Sequence, residues 1–279
     1  MKNPVRDVSD TARWVAYFRA RETRRADALF SDPYAERLAG ERGFQIADTL
    51  TDGNKHEWAW VARTYLFDKL LVREIQQGAD LVVNLAAGLD ARPYRMQLPA
   101  TLQWVEVDLP GIISYKESIL GAEEPACHLE RISLDLANQA GRRSLFAQLD
   151  RRAKKIVVVS EGLLIYFTAE EVGSLASDIA SRSRFQRWIV DLASPGQLRI
   201  MQRTMGKQLT EADAAFKFGP PEGPGFFVPY GWHAEEVQGL LKTAAELKRA
   251  PKELLSFLPE PKGAPGDLPW TGVCLLRKT

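Results

Sequence analysis

Carboxylates follow two short apolar runs of the chain, at places where buried strands are expected to end. Asp108 follows a run that ends at Val107, and Glu161 follows the run Ile156–Val159. Open α/β sheets bind their ligands in the crevice outside the carboxyl ends of their strands. We therefore expect both carboxylates to face one crevice, with Glu106, two residues before Asp108, pointing to the same face as Asp108.

A turn of small residues comes directly after the first apolar run. The segment VNLAAGLD, residues 83–90, places Ala86 and Gly88 where a ligand can approach the backbone closely. Asp108 lies about 20 residues beyond this turn, the spacing at which a carboxylate accepts hydrogen bonds from ribose hydroxyls. A plain tight turn and a capping aspartate before Pro110 remain the structural alternatives.

A third polar site follows the next expected strand. In the segment SLDL, residues 133–136, Asp135 could accept a hydrogen bond from the exocyclic amine of an adenine, and Leu136 could pack on the ring. An ordinary turn is the alternative. The full G-x-G-x-x-G motif is absent, which disfavours a pyrophosphate-binding dinucleotide enzyme.

Composition narrows the classes of partner and site. The 279 residues carry 37 basic and 36 acidic side chains, a formal charge of +1, so no global field attracts nucleic acid or a membrane. Cys127 and Cys274 lie far apart, and the three histidines show no ligand spacing, so neither a disulfide framework nor a metal site is expected. The first residues have no apolar segment of the secretory kind, and we expect a soluble cytoplasmic protein.

Helices and then alternating strands must position these groups. Apolar spacing predicts helices at 11–25 and 56–77, with another helix beginning after Asp32. The predicted strands are 81–85, 102–107, 127–132, 156–159 and 188–192. The predicted helices between them are 110–120, 142–149 and one that begins with a capping box at Thr168. This alternation predicts an α/β doubly wound sheet.

The last third of the chain is predicted less regularly. Residues 218–229 and 259–269 are rich in Gly and Pro and are expected to be loops. Between and after them we expect a helix at 233–241, a strand at 245–249, a helix at 251–258 and a strand at 271–277. His233 is expected to cap the first of these helices, with a catalytic role as the less favoured alternative.

Several motifs, in this order and spacing, resemble one known family. VVNLAAGLDARPYRM, EVDLP with a following YK, SLDL, and VVVSEGLLIYFTAEEV are similar to those of the leucine carboxyl methyltransferase family. They are most similar to its bacterial branch of S-adenosylmethionine-dependent O-methyltransferases, which includes polyketide methyltransferases. The N-terminal TARWVAYFRARET and ALFSDPYAERLAG are also typical of that branch, so the resemblance covers the whole chain.

The resemblance implies a fold and an organisation. The fold would be a mostly parallel, seven-stranded sheet of the class I methyltransferase type within one domain of residues 1–279. Residues 1–78 would form an N-terminal helical cap, and residues 79–193 the cofactor-binding core. Residues 194–232 would form an inserted lid, and residues 233–279 the C-terminal part of the sheet.

The resemblance also implies roles for individual residues. Arg63 matches an arginine that binds the methionine carboxylate, with an internal Asp or Glu as the alternative partner of its guanidinium. Arg19 is similar to the second basic partner. Ala86 stands where a glycine often occurs and would contact the cofactor through its backbone only. The other implied contacts to S-adenosylmethionine come from Gly88, Asp108 for the ribose, Asp135 and Leu136 for the adenine, and Glu161 near the amino acid end.

The implied activity is transfer of a methyl group to a carboxylate or hydroxyl of a small molecule, such as a polyketide. Tyr17, Tyr166 and Phe227 could line the acceptor pocket, with core packing as the alternative for each. Two other functions remain open. An NAD(P)-dependent oxidoreductase could use the pair Tyr65 and Lys69, and a non-catalytic protein could keep the fold as a binding module. The sequence does not indicate an oligomeric state.

Overall fold

The computed structural model describes residues 8–49, 56–210, 215–257 and 264–279, without the side chains of residues 8, 205–210 and 257. The predicted loop 259–269 and the end of the predicted helix 251–258 therefore lie partly outside the described residues.

A seven-stranded mixed sheet forms the centre of the molecule. Its strands are β1 Leu81–Leu85, β2 Gln103–Asp108, β3 His128–Ser133, β4 Ile156–Ser160, β5 Phe185–Ala193, β6 Trp232–Gly239 and β7 Thr271–Lys278. Their order across the sheet is β3-β2-β1-β4-β5-β7-β6. Strands β1 to β5 pair in parallel, and β7 runs antiparallel between β5 and β6. The prediction of a mostly parallel, seven-stranded class I methyltransferase sheet is confirmed.

Helices cover the sheet and its carboxyl edge. They are α1 Val8–Thr23, α2 Ala35–Thr49, α3 Glu57–Gln76, α4 Arg92–Arg95, α5 Pro110–Leu120, α6 Gln139–Asp150, α7 Ala169–Ala180, α8 Pro195–Thr210 and α9 Leu240–Glu246. Three 3-10 segments are Leu164–Tyr166, Gly223–Tyr230 and Lys252–Phe257. The predicted capping box that opens α7 is present, with Thr168 and Glu171 as its partners.

Burial on both faces explains the strand sequences. Every residue of β1 and β4 is buried, and both strands consist almost entirely of aliphatic residues. One face packs against α6 and α7, and the other face packs against α3 and α9. Parallel strands covered on both faces are expected to be continuously apolar, which is why their bounds were predictable.

Helices α1 and α2 lie over the carboxyl edge of the sheet. Trp14 and Phe18 of α1 pack with Ile46 of α2 and with Phe216. On another side α1 and α2 pack against Leu89, which follows β1, and against α5. As expected, α2 begins shortly after Asp32, whose Oδ1 accepts a hydrogen bond from the backbone N–H of Tyr34 at 3.2 Å. The two helices therefore cover the edge of the sheet at which the parallel strands end.

The C-terminal prediction is wrong in two places. Residues 233–241, predicted as a helix, form most of strand β6, and the predicted strand at 245–249 is the end of α9 and the turn after it. Antiparallel pairing with β7 and burial of Trp232 outweigh the helical preference of Ala, Glu and Gln in this edge strand. His233 lies exposed on the strand, so it caps no helix.

Within the described ranges, no helix combines the length and the apolar character that a bilayer crossing requires.

Candidate active site

A cavity of about 620 Å³ opens at the carboxyl edge of the sheet. The ends of β1, β2, β4 and β5 form its floor, and helices α1, α3 and α8 contribute to its walls. This volume lies within the range of about 300–1,000 Å³ that is usual for small-molecule sites. We call the part beside the strand ends the polar end. The apolar end is the part between α1, α3, α8, residue 165 and residues 216–218, 240–241 and 270–271.

The turn after β1 brings the backbone to the floor of the polar end. Ala86 has φ 52° and Gly88 has φ 50°, so both adopt the left-handed conformation. Glycine adopts it freely, whereas alanine pays about 1–2 kcal/mol. Strain of this kind is retained where the surrounding structure fixes a functional turn. At this turn the backbone, rather than large side chains, forms the floor of the cavity, as expected where a ligand approaches closely.

Asp108 sits at the tip of β2, opposite this turn. Its Oδ2 accepts a hydrogen bond from the Gly88 N–H at 2.6 Å, and its Oδ1 accepts one from the Leu109 N–H at 2.7 Å. Burial raises the pKa of Asp108, although these two hydrogen bonds oppose the shift. Each oxygen keeps lone-pair capacity toward the cavity, so the carboxylate is suited to accept hydrogen bonds from two vicinal hydroxyls.

Asp135 and Leu136 form the neighbouring wall beyond β3. Asp135 is exposed, and its Oδ1 accepts a hydrogen bond from the Ala137 N–H at 2.9 Å. Leu136 is buried in the core cluster while it also lines the cavity. An apolar surface beside an accessible carboxylate suits a flat ring that carries an amine.

Arg63 of α3 reaches the cavity between two acids. Its Nε donates to Glu161 Oε1 and its Nη1 donates to Asp191 Oδ2, both at 3.1 Å. Burial alone would lower the pKa of Arg63, but Asp191 and Glu161 raise it. The Gly162 N–H also donates to Asp191, at 2.7 Å. Arg63 is therefore held by internal acids at the junction between the two ends of the cavity.

Arg92 extends this ion-pair chain behind the turn. Its Nη1 lies 2.8 Å from Glu161 Oε2 and 2.9 Å from Asp90 Oδ2, and its Nε lies 2.6 Å from Asp68 Oδ1. Burial opposes ionisation of Asp90, yet Arg92 and other nearby cations lower its pKa to about 2. Asn84 of β1 also donates to Asp90, at 2.8 Å. The chain fixes the orientation of Glu161.

Arg19 of α1 lies on the opposite wall. Its Nε donates to Asp32 at 2.8 Å and its Nη2 donates to the Leu89 carbonyl at 2.6 Å. Arg19 is buried and lines the cavity. It therefore ties helix α1 to the segment that follows the β1 turn.

The apolar end has a different character. Its walls come from segments far apart in the chain, and most of them are aromatic or aliphatic. They include Trp14, Trp58, Trp60, Ile165, Ile200, Met201, Phe216, Phe218, Leu240, Leu241 and Trp270.

The chain matches the model of a known protein family. The model of the leucine carboxyl methyltransferase family matches residues 12–180, from α1 to the end of α7. The chain belongs to the leucine carboxyl methyltransferase family. It is an S-adenosylmethionine-dependent methyltransferase, which confirms the resemblance carried by its motifs.

Curated relatives agree along most of the chain. A Frankia alni protein named "Putative S-adenosyl-L-methionine-dependent methyltransferase" is 32% identical over 261 residues, which cover 86% of this chain and 88% of the relative. A Streptomyces coelicolor protein with the same descriptive name is 31% identical over 270 residues, covering 92% of this chain and 93% of the relative.

Solved structures agree with the fold. A DUF574 family protein of Streptomyces avermitilis superposes with a TM-score of 0.58 at 10% identity, covering 96% of this chain and 97% of that one. A Thermobifida fusca protein superposes with a TM-score of 0.55 at 14% identity, covering 100% and 97%.

The structure brings together all eight residues expected to bind the methyltransferase cofactor. Arg19, Arg63, Ala86, Gly88, Asp108, Asp135, Leu136 and Glu161 all line the one cavity. Glu106 does not share the cavity with Asp108. It is buried instead between Lys116 Nζ at 2.7 Å and Arg131 Nε at 2.9 Å.

The three aromatic residues suggested for the acceptor pocket separate. Tyr166 lines the cavity, and its hydroxyl donates to Thr11 at 3.4 Å. Tyr17 packs edge-on against Phe44 on the side of α1 and is not part of the lining. Phe227 is fully buried in the core beside Trp188. The structure therefore places Tyr17 and Phe227 in packing positions, which was the stated alternative for each.

Sequence reasoning missed three charged residues of the methyltransferase cavity: Asp90, Arg92 and Asp191. Asp191 lies near the carboxyl end of β5, so the rule that selected Asp108 and Glu161 would also have found it. Asp90 and Arg92 lie in the segment GLDAR of the motif VVNLAAGLDARPYRM. Asking which side chains the turn buries would have identified both residues. The alternative pair Tyr65 and Lys69 lies in α3 outside the cavity lining.

Across the described part of the chain, no group of three or more His, Cys, Asp or Glu side chains is arranged to hold a metal ion. Cys127 and Cys274 are buried and free. Burial raises the pKa of both thiols, that of Cys127 to about 11.

Proposed function

We propose that this methyltransferase transfers the methyl group of S-adenosylmethionine to an oxygen atom of a small, largely apolar molecule. The acceptor oxygen belongs to a carboxylate or a hydroxyl, and polyketides are one class that offers either group. The observation that carries this proposal is a single cavity whose polar and apolar ends meet at Arg63, Glu161 and Tyr166.

The polar end fits the cofactor piece by piece. Asp108 would hold the ribose hydroxyls, Asp135 and Leu136 the adenine, and the backbone at Ala86 and Gly88 would lie beside the linking atoms. The methionine end carries an ammonium and a carboxylate, and the cluster of Arg63, Glu161 and Asp191 offers both charge signs for it. When bound, the cofactor supplies an activated methyl group on a positively charged sulfur.

The protein's contribution to such a transfer is mainly positioning and exclusion of water. Helix α1 covers the cavity and is fastened to the floor through Arg19 and the Leu89 carbonyl. The Tyr166–Thr11 hydrogen bond joins the floor to α1 at the boundary of the two ends. An ionised carboxylate acceptor needs no general base, whereas a hydroxyl acceptor gains from a nearby carboxylate such as Asp191.

An assay with S-adenosylmethionine labelled in its methyl group tests this proposal. The protein is incubated with the labelled donor and a small-molecule extract of the source organism, and labelled products are separated and identified by mass and NMR. The expected product carries the label on oxygen. Heat-inactivated protein and the Asp108→Ala variant are the controls.

Three results contradict the proposal. Label on nitrogen, carbon or sulfur would contradict oxygen as the acceptor atom. Binding of NADH with no binding of S-adenosylmethionine, measured by isothermal titration, would favour the oxidoreductase alternative. Tight cofactor binding with no transfer to any component of the extract would favour the non-catalytic alternative.

A further inference from the structure

The charges of the cavity are distributed unevenly between its two ends. Among the described lining residues, the arginine, aspartate and glutamate side chains are Arg19, Arg63, Arg92, Asp90, Asp108, Asp135, Glu161 and Asp191. All of them belong to the polar end or to its junction with the apolar end. The apolar end offers neutral polar groups on Ser9, Thr11, Gln197, Thr204 and Thr271, and the imidazole of His56.

The three cations of the lining are paired with acids, and in the proposed function Arg63 also meets the methionine carboxylate. Arg19 is paired with Asp32, Arg63 with Glu161 and Asp191, and Arg92 with Glu161 as well as with acids behind the turn. An anionic acceptor in the apolar end would therefore meet no described lysine or arginine that is available to it. It would instead approach the carboxylates of Glu161 and Asp191 at the junction.

The aromatic walls add little polar surface. The indole Nε1 atoms of Trp14, Trp58 and Trp60 are buried and have no hydrogen-bond partner in the structure. These tryptophans therefore present ring carbon atoms rather than their N–H groups to the apolar end. Moving an ionised carboxylate from water into such surroundings without a paired cation costs far more than moving a hydroxyl.

We propose that the acceptor is an uncharged, apolar molecule that presents a hydroxyl group, and that carboxylates are rejected. This inference rests on the proposed function and narrows its acceptor. In the transfer, a bond forms between the hydroxyl oxygen and the methyl carbon while the carbon–sulfur bond breaks, and its electron pair stays on sulfur. The hydroxyl proton leaves to a carboxylate at the junction, Asp191 or Glu161, and from there to water.

A matched pair of fluorescent probes tests the charge preference directly. N-phenyl-1-naphthylamine is neutral, and 8-anilino-1-naphthalenesulfonate has the same rings with an added anion. In the presence of S-adenosylhomocysteine, which fills the polar end, we expect the neutral probe to bind at least tenfold more tightly. Equal affinities, tighter binding of the anion, or no binding of either probe would overturn the inference.

A variant on α8 tests whether the apolar end causes the preference for the neutral probe. Thr204 lines the cavity and is exposed, so substitution there is compatible with the fold. Thr204→Lys adds a cation, and we expect it to raise the affinity for the anionic probe at least fivefold. Thr204→Met, which has similar length and no charge, controls for size and should change the affinities for the two probes by the same factor. Equal responses of the two variants would overturn the inference.

The labelled product separates failure of this inference from failure of the proposed function. A methyl ether keeps its label in warm alkali, whereas a methyl ester releases it as methanol. Retention of the label supports a hydroxyl acceptor. Release would overturn the inference and leave O-methyl transfer standing, while absence of any transfer would contradict the proposed function itself.

Discussion

The two ends of the cavity are built in different ways. The polar end is made of strand ends and the turns that follow them, fixed by left-handed backbone at Ala86 and by ion pairs that reach from Arg63 to Asp68. The apolar end is made of side chains from α1, α3, α8 and the segments near 216 and 270. In the proposed function, cofactor recognition would depend on the sheet, while acceptor recognition would depend on the segments that cover it.

The largest expected effect of a substitution is on stability at the junction. Arg63→Ala leaves Asp191 without a cation and Glu161 with Arg92 alone, and breaking a buried pair in this way costs about 3–5 kcal/mol. Urea unfolding of the cofactor-free protein measures this loss. Arg199→Ala, which removes an exposed ion pair with Asp267, is the matched control and should cost at most about 0.5 kcal/mol.

This prediction also separates structure from binding. The arrangement implies that Arg63 stabilises the cofactor-free protein, and in the proposed function it also binds the cofactor. Unchanged unfolding of the Arg63→Ala protein would show that Asp191 needs no cation beside it, and the ion-pair account of the junction would then be wrong.

Asp108→Ala should have the largest effect on cofactor binding. Loss of two charge-assisted hydrogen bonds to the ribose is expected to weaken S-adenosylmethionine binding by about 2–4 kcal/mol, measured by isothermal titration. Asp135→Ala removes a single exposed acceptor and should cost only about 1 kcal/mol. If the two variants lose affinity equally, the ribose does not lie at Asp108.

Asp90 gives a stability effect that depends on pH. The pKa of Asp90 in the folded protein, about 2, lies below its ordinary value of about 3.9. The ionised carboxylate therefore stabilises the fold at pH values above about 3.9, and this stabilisation is lost as the pH falls toward 2. At pH 7, Asp90→Asn should lower the free energy of unfolding by about 2 kcal/mol.

Unfolding at a series of pH values checks this sign. The difference between wild type and the Asp90→Asn variant should shrink below pH 4 and approach zero near pH 2. A difference that grew on acidification would mean that burial, rather than Arg92, dominates the environment of Asp90.

Tyr166→Phe should have the smallest effect and marks the boundary between the two ends. It removes only the hydrogen bond to Thr11, which is expected to cost about 1 kcal/mol of stability. The affinity for S-adenosylmethionine should stay within about threefold of wild type. A tenfold loss would place Tyr166 in the cofactor site rather than at its border.

The same contrast explains how much the sequence could predict. Strands β1 and β4 are buried on both faces, so their apolar runs reveal their bounds, and the small-residue turn after β1 and Glu161 after β4 indicate the polar end. Edge strand β6 pairs with β7 alone, and its mostly exposed residues include Glu235 and Glu236, which favour a helix locally. Only pairing across the sheet makes this segment a strand.

The apolar end could not be read from the sequence for a related reason. Trp14, Met201, Phe216 and Trp270 meet there from four separate segments, and no spacing along the chain connects them. Tyr17 and Phe227 were equally plausible lining residues by type, yet they pack beside Phe44 and Trp188. The commitment of Arg63 to two acids likewise depends on contacts over 98 and 128 residues of chain.

A crystal structure of the protein with S-adenosylhomocysteine tests the central claim most directly. The account predicts the ribose hydroxyls on Asp108, the adenine beside Asp135 and Leu136, and the amino acid end at Arg63, Glu161 and Asp191, with the sulfur directed toward the apolar end. The ligand bound with its adenine among Trp14, Trp60 and Phe216 would contradict the division of the cavity into a cofactor end and an acceptor end.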